Sequence, residues 1–120
     1  MDPLEQNKFY QMSLELWDEF WEDAKELGKS MIGRELVKQQ TRAIDSIAAN
    51  IEEGYGRGFG KEYPYFLKVA RGSAREAKGR YIRARKILSG EIINQRVKKL
   101  DAIISMLTKT IQTLERKNKK

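Results

Sequence analysis

Apolar residues recur every three to four positions through most of the chain, and few segments alternate apolar and polar residues as a half-buried strand would. This period predicts four amphipathic helices, over residues 4–29, 34–57, 60–89 and 91–117. The predicted breaks fall at residues 29–33, at the glycine-rich segment 54–60, and at Ser89-Gly90. Short links between such helices indicate an all-α protein, an antiparallel up-down four-helix bundle in one domain spanning residues 1–120.

The composition narrows the function classes, because the 120 residues include no His and no Cys. Disulfides, thiolate zinc sites, cysteine nucleophiles, imidazole ligands and histidine proton shuttles are therefore excluded. The di-metal sites of four-helix bundles use Glu-x-x-His pairs, which this chain cannot supply. Gly54 and Gly56 have Gly-x-Gly spacing, but no predicted strand precedes them, so they lack the context of a dinucleotide-binding loop. We therefore expect no enzyme activity, no metal and no cofactor.

The sequence also argues against a membrane partner. No apolar run approaches the roughly 18–20 residues that cross a bilayer, and the N-terminal segment has no signal-peptide pattern. A peripheral membrane protein is disfavoured too, because basic side chains do not flank one exposed apolar helix face. We expect a cytoplasmic protein.

The formal net charge of +7 is divided unevenly along the chain. It is −5 over residues 1–30, −1 over residues 31–55, +8 over residues 56–90 and +5 over residues 91–120. Basic side chains along a long rigid helix match the regularly spaced charge of a phosphate backbone, and no base-reading signature accompanies them. The predicted phosphate-binding residues are Lys61, Lys68, Arg71, Arg75, Lys78, Arg83, Lys86, Lys98, Lys99 and Lys109. The alternative is a solvated helix face, or a face paired with the acidic stripe Glu15, Glu19, Glu22 and Glu26.

Several apolar residues lie outside the predicted core faces and widen the apolar sector of their helices. They are Leu14, Trp17 and Trp21 in the first helix, and Tyr65, Val69 and Ile87, beside Gly72, in the third. A wide or doubled apolar stripe is typical of a partner surface, so we interpret these seven residues as an oligomer interface. An acidic first half and a basic second half suit a head-to-tail contact that closes into a ring. The alternative is an irregular core in a short bundle.

Two segments carry a family resemblance. Residues 40–58 read Q-T-R-A-I-D-S-I-A-A-N-I-E-E-G-Y-G-R-G, which resembles the signature Q-x-R-R-A-x-x-S-I-P-A-N-I-A-E-G-Y-G-R. Residues 62–76 resemble the block E-[FY]-x-x-F-L-x-I-A-x-G-S-x-x-E. The signature and the block are both patterns of the four-helix bundle family encoded by intervening sequences within bacterial 23S rRNA genes, which this chain therefore resembles. The chain departs from the family pattern at Ala48, where proline is usual, and at Asp45, where an apolar residue is usual.

The resemblance implies a left-handed bundle that assembles into a ring-shaped homopentamer, with no known catalytic residue. It implies a structural role, closing the second helix and fixing the turn to the third, for Asn50, Glu53, Gly54, Tyr55, Gly56 and Arg57. The accessory variability determinant proteins of diversity-generating retroelements are similar basic pentameric bundles, which partner a reverse transcriptase and nucleic acid.

These observations lead to one main hypothesis about function. We expect a non-catalytic, oligomeric protein that binds nucleic acid, RNA in preference to DNA, through the phosphates of structured RNA or a ribonucleoprotein. The alternative is an accessory protein that binds the reverse transcriptase of a diversity-generating retroelement together with its nucleic acid.

Overall fold

The computed structural model describes residues 2–58 and 60–119; Phe59, in the predicted glycine-rich break, lies outside them, as do Met1 and Lys120. The described residues form four α-helices and no strand, which confirms the all-α prediction. The helices are α1 (Lys8–Leu27), α2 (Met31–Arg57), α3 (Glu62–Arg83) and α4 (Gly90–Asn118). Short 3-10 turns at Pro3–Gln6 and Ala84–Lys86 precede α1 and follow α3.

Side-chain caps set the starts of three of the helices. The side-chain oxygen of Asn7 accepts from the Tyr10 amide at 3.0 Å, and the Ser30 hydroxyl accepts from the Gly33 amide, also at 3.0 Å. Gly33, which the sequence pattern assigned to a break, is therefore in the first turn of α2. A Cβ atom at Gly33 would overlap the carbonyl oxygen of Leu27, so only glycine fits this tight reversal.

The third helix is shorter than the predicted range of 60–89. It ends at Arg83, and the backbone amide of Ile87 closes the following 3-10 turn on the carbonyl of Ala84 at 2.9 Å. The Ser89 hydroxyl then caps α4 by accepting from the Ile92 amide at 3.2 Å. Because the chain must reverse before this cap, Lys86 and Ile87 lie in the α3–α4 connection, where the helical wheel of α3 no longer applies.

Helix α2 continues through Gly54 and Gly56 and stops at Gly58. Gly58 has a φ of 69°, a left-handed conformation that glycine adopts without strain, and its amide donates to the carbonyl of Gly54 at 3.0 Å. A Cβ atom at Gly54 would come within 2.8 Å of the Phe66 Cβ. Gly54 therefore allows α2 and α3 to approach closely at this end of the bundle.

Contacts between neighbouring helices join residues in opposite order. As the residue number rises along one helix, the number of its partner falls along the next. Between α2 and α3, the Gln40 amide donates to the carbonyl of Ala77 at 2.8 Å, and the Ser46 and Ser73 hydroxyls lie 2.8 Å apart. This is the order expected of antiparallel neighbours. The same order appears in Lys68–Glu115 and Lys78–Asp101 between α3 and α4, and in Asp23–Arg96 and Glu15–Lys99 between α1 and α4.

The core is aliphatic and α3 contributes small residues to it. Fully buried side chains include Leu16 from α1, Ile47 from α2 and Leu107 from α4. Half of the six buried positions of α3 are alanines, at residues 70, 74 and 77, which let its backbone approach the other helices. The bundle is a rod of 52 × 24 × 21 Å. Within the described residues, no helix is both long enough and apolar enough to cross a membrane.

Candidate nucleic-acid interface

The structure places the ten predicted phosphate-binding residues on α3, on α4 and in the segments flanking α3. Six of them are exposed and form no ion pair within the described part of the chain. These six, which we call the open basic set, are Lys61, Arg75, Arg83, Lys86, Lys98 and Lys109. Lys61 and Arg75 lie fourteen residues apart, which is almost four helical turns, so they share one side of α3.

Three further residues of the ten line the groove between α3 and α4. The Lys68 ammonium lies 2.7 Å from the Glu115 carboxylate, and the Lys78 ammonium lies 2.7 Å from Asp101. Between them the Arg71 guanidinium donates to the Thr108 hydroxyl at 3.2 Å. Exposed pairs of this kind contribute only about 0.2–1 kcal/mol each, so a phosphate can replace a carboxylate at little cost.

The ion pair with Lys68 also changes the pKa of Glu115. The hydrogen bond that Lys68 donates lowers the pKa of the Glu115 carboxyl below its usual value. Glu115 therefore stays ionised and balances one positive charge of the groove.

Lys99 does not lie on the outer face of α4, where the sequence pattern placed it. Its ammonium is 3.1 Å from both Glu15 and Glu19 of α1, and its side chain is only 19% exposed. The physical reason is the helical period: Lys99 is rotated by about 100° from Lys98 and so faces the α1–α4 seam. Lys99 is thus largely removed from the outer basic surface.

Two of the four acids in the α1 stripe form ion pairs with α4. Glu19 also lies 3.4 Å from the Arg96 guanidinium, so Glu15 and Glu19 are paired across the seam. Glu22 and Glu26 pair instead within α1 and its C-terminal turn, with Lys25 and Lys29. None of the four pairs with α3 in the described residues, so the outer charge of α3 is not neutralised by this stripe.

A buried polar network connects three helices, and the sequence interpretation missed it. Asp23 of α1 is 2% exposed and Arg96 of α4 is 8% exposed. Tyr81 of α3 completes the group by donating its hydroxyl to Asp23 at 2.6 Å. A signal was present: Asp23 follows Phe20 by three residues, and Arg96 precedes Leu100 by four, so both charges lie on apolar stripes. An acid and a base on two core faces indicate a buried pair.

All of the six signature residues except Gly56 make contacts around the end of α2. Asn50 donates to the carbonyl of Ser46 at 2.8 Å, and Arg57 donates to Glu53 at 2.8 Å while its guanidinium lies 5.1 Å from the Phe66 ring centre. The Tyr55 ring is edge-on to Tyr63 at 6.1 Å. A Cβ atom at Gly56 would meet nothing within 4 Å. The contacts of Arg57 with Phe66 and of Tyr55 with Tyr63 join the end of α2 to α3.

The seven predicted interface residues do not form one continuous patch. Leu14 and Trp21 are 41% and 62% exposed, and the Trp17 and Trp21 rings meet edge-to-face at 6.5 Å. With Phe20, Ala24 and Thr41, the two tryptophans line an apolar cavity of 190 Å³ between α1 and α2.

The remaining predicted interface residues lie elsewhere on the rod. Tyr65 and Val69 are exposed on α3, and a Cβ atom at Gly72 would meet nothing within 4 Å. Ile87 is half-buried in the α3–α4 connection, roughly 30 Å from Tyr65 along the rod. The expected seam of Tyr65, Val69 and Ile87 along one helix is therefore wrong, because α3 ends before Ile87.

The described residues contain no group of three or more His, Cys, Asp or Glu side chains placed to hold a metal ion.

A model of the family described as 23S rRNA-intervening sequence protein matches residues 5–109, which include α1, α2, α3 and most of α4. No curated protein matches the sequence. From the extent of this match, the chain belongs to the 23S rRNA-intervening sequence protein family.

Proposed function

We propose that this protein is a non-catalytic, oligomeric RNA-binding protein whose α3 and α4 helices contact phosphates of structured RNA or a ribonucleoprotein. RNA is preferred to DNA because the family is described by its 23S rRNA context. Such a partner would be met in the cytoplasm. The opposite order of contacts along neighbouring helices supports an up-down bundle, which would present α3 and α4 as one rigid basic surface.

The observation that carries the proposal is the open basic set. Residues 56–120 have a net charge of +13, and most of this charge is not neutralised within the described chain. Among the described residues of this half, Arg57, Arg96 and Lys99 alone pair with acids of the first half, Arg57 with Glu53 and the other two with acids of α1. Unbalanced charge fixed on rigid helices attracts a polyanion and releases counterions when the polyanion binds.

Self-association would strengthen a weak basic surface by presenting several copies of it. The exposed Leu14 and Trp21 side chains beside the apolar cavity of α1 and α2 support an interface there. This face lies on α1 and α2, so it covers neither α3 nor α4 itself; a ring also needs a second, different surface on each copy to receive it. The ring-shaped homopentamer implied by the family resemblance is the assembly that we propose.

RNA binding is tested by charge reversal in the open basic set. The test variant carries Arg75→Glu, Lys98→Glu and Lys109→Glu, and the control variant carries Lys25→Glu, Lys29→Glu and Lys38→Glu. The three control lysines are exposed on α1, after it and on α2, and the change in net charge is the same. Affinity for a labelled structured RNA is measured by fluorescence anisotropy across a salt series, with circular dichroism and light scattering to check helicity and assembly.

For the unmodified protein, we expect log K to fall linearly with log salt concentration. The test variant should lose at least about tenfold in affinity and have a shallower salt slope, because each lost phosphate contact removes roughly one unit of slope. The control variant should lose much less. Equal losses in the two variants would mean that net charge alone drives binding. A protein that ignores RNA but purifies with a reverse transcriptase would instead support the accessory role.

A further inference from the structure

A cavity of 290 Å³ opens at the end of the bundle where α3 begins and α4 ends. Its lining includes Lys61, Tyr65, Lys68, Glu115, Asn118 and Lys119. The size is near the lower end of the range of small-ligand pockets, roughly 300–1,000 Å³. It combines one aromatic ring with three ammonium groups.

The aromatic ring is Tyr65, whose side chain is 59% exposed. Its aromatic contact is with the adjacent Phe66, whose ring lies 5.1 Å away at 78° to it. This contact steadies the ring without stacking on it, and no other aromatic side chain in the described residues packs against Tyr65. A large exposed aromatic side chain costs free energy in water, so a planar partner would be favoured there.

The charge of the cavity favours an anionic ligand. Lys61, Lys68 and Lys119 face one carboxylate, that of Glu115, which accepts a hydrogen bond from Lys68 at 2.7 Å. Two positive charges therefore remain beyond the internal pair. The Asn118 amide donates to the carbonyl of Gly60 at 2.7 Å, which ties the end of α4 to the segment before α3. The wall of the cavity is thus held by both elements that form it.

We propose that this cavity binds one unpaired nucleotide of an RNA, with its base on the Tyr65 ring and the neighbouring phosphates held by Lys61, Lys68 and Lys119. The inference rests on the proposed RNA binding and adds that the RNA has an unpaired residue at the contact. Aromatic side chains bind bases that are splayed out of loops, bulges or ends, since a paired base keeps both faces stacked in its helix. The open basic set then holds the flanking phosphates along the rod.

The test compares three RNA probes at one salt concentration. They are an unstructured oligouridine of about 12 nucleotides, the same backbone with abasic riboses in place of the uridines, and a duplex of equal length. The protein variants are Tyr65→Leu, which removes the ring, and Tyr65→Phe, which keeps it. Tyr55→Leu is the matched control, because Tyr55 is another exposed tyrosine but does not line this cavity.

We expect the unmodified protein, Tyr65→Phe and Tyr55→Leu to bind the oligouridine at least about fivefold more tightly than the abasic strand, the lower bound for stacking of one base. Tyr65→Leu should bind both strands equally and keep its affinity for the duplex. The nucleotide pocket is wrong if Tyr65→Leu still prefers the oligouridine to the abasic strand. It is also wrong if the unmodified protein binds all three probes without that preference. In both cases the proposed RNA binding stands. If no probe binds at that salt concentration, the proposed function falls together with the pocket. A loss of oligomer mass in Tyr65→Leu would assign Tyr65 to a contact with a second copy and overturn the inference.

Discussion

Arg96 and Asp23 form a two-point ion pair inside the bundle, with Nε 2.8 Å from Oδ2 and Nη2 3.1 Å from Oδ1. The Tyr81 hydroxyl donates to the same Oδ2 atom, so one carboxylate connects α1, α3 and α4. The hydrogen bond to Asp23 raises the pKa of the Arg96 guanidinium above its ordinary value. This network fixes how α3 and α4 are turned relative to α1, and therefore which of their basic side chains point outward.

Removal of one partner of this pair should destabilise the fold strongly. We expect Asp23→Ala to lower the free energy of unfolding by about 3–5 kcal/mol, because buried Arg96 would keep only the more distant Glu19, at 3.4 Å, and the Tyr81 hydroxyl would lose its acceptor. Urea denaturation followed by circular dichroism measures the change. The control is Glu22→Ala, which removes an exposed pair with Lys25 and should cost less than about 1 kcal/mol. Similar small losses in both variants would show that water reaches the Asp23–Arg96 pair.

Tyr10 should titrate at an unusually high pH. Its hydroxyl donates to Glu52 at 2.8 Å, and this hydrogen bond, with desolvation, raises the pKa of Tyr10 to about 12. An unfolded tyrosine has a pKa of about 10, so this contribution to stability is complete below about pH 10 and is lost as the pH rises towards 12. The difference in phenolate absorbance between the unmodified protein and Tyr10→Phe reports the titration of this residue. Glu52→Gln should lower the pKa of Tyr10, and an unchanged value would contradict the assigned cause.

Two glycines within helices should respond in opposite directions to alanine. At Gly54 the added methyl group would meet the Phe66 Cβ at 2.8 Å and Tyr63 at 3.0 Å, so Gly54→Ala should cost about 1–3 kcal/mol of stability through overpacking. At Gly72 nothing lies within 4 Å, so Gly72→Ala should add up to about 1 kcal/mol through helix propensity. Thermal unfolding of the two variants measures both effects. A stabilised Gly54→Ala variant would mean that α2 and α3 are further apart than the structure has them.

If the proposed interface lies on α1, charged substitutions there should lower the molecular mass of the protein in solution. Leu14→Lys with Trp21→Lys should convert the proposed oligomer to a monomer, because two exposed apolar side chains would become charged at the proposed contact. Light scattering after size exclusion measures the mass, and circular dichroism checks that helicity is kept. Ile32→Lys with Met31→Lys is the control, since these residues are even more exposed but lie at the start of α2. An assembly that survives the first change and dissolves after the second would move the interface to the start of α2.

The sequence by itself determined the helices, because both the apolar period and the caps are local. The predicted end of the second helix, at residue 57, agrees with α2 at Arg57, and Ser30 and Ser89, which cap α2 and α4, lie in two of the predicted breaks. The acidic first half and basic second half were visible as well, as was the family, through the motif at residues 40–58. The end of α3 was missed, since alanine and lysine at residues 84–86 suit a helix and only the reversal towards the Ser89 cap stops it.

Only the tertiary structure decided which side chains meet. Helical period fixes the face of its own helix on which a residue lies, but the residue opposite depends on how far neighbouring helices are rotated and shifted. The close packing of the α3 alanines sets that shift. It brings Lys99 to Glu15, Asp23 to Arg96, and the aromatic ring at position 65 to a lysine fifty-four residues later in the chain. Packing between helices thus decided which charges are neutralised and which remain on the surface for a partner.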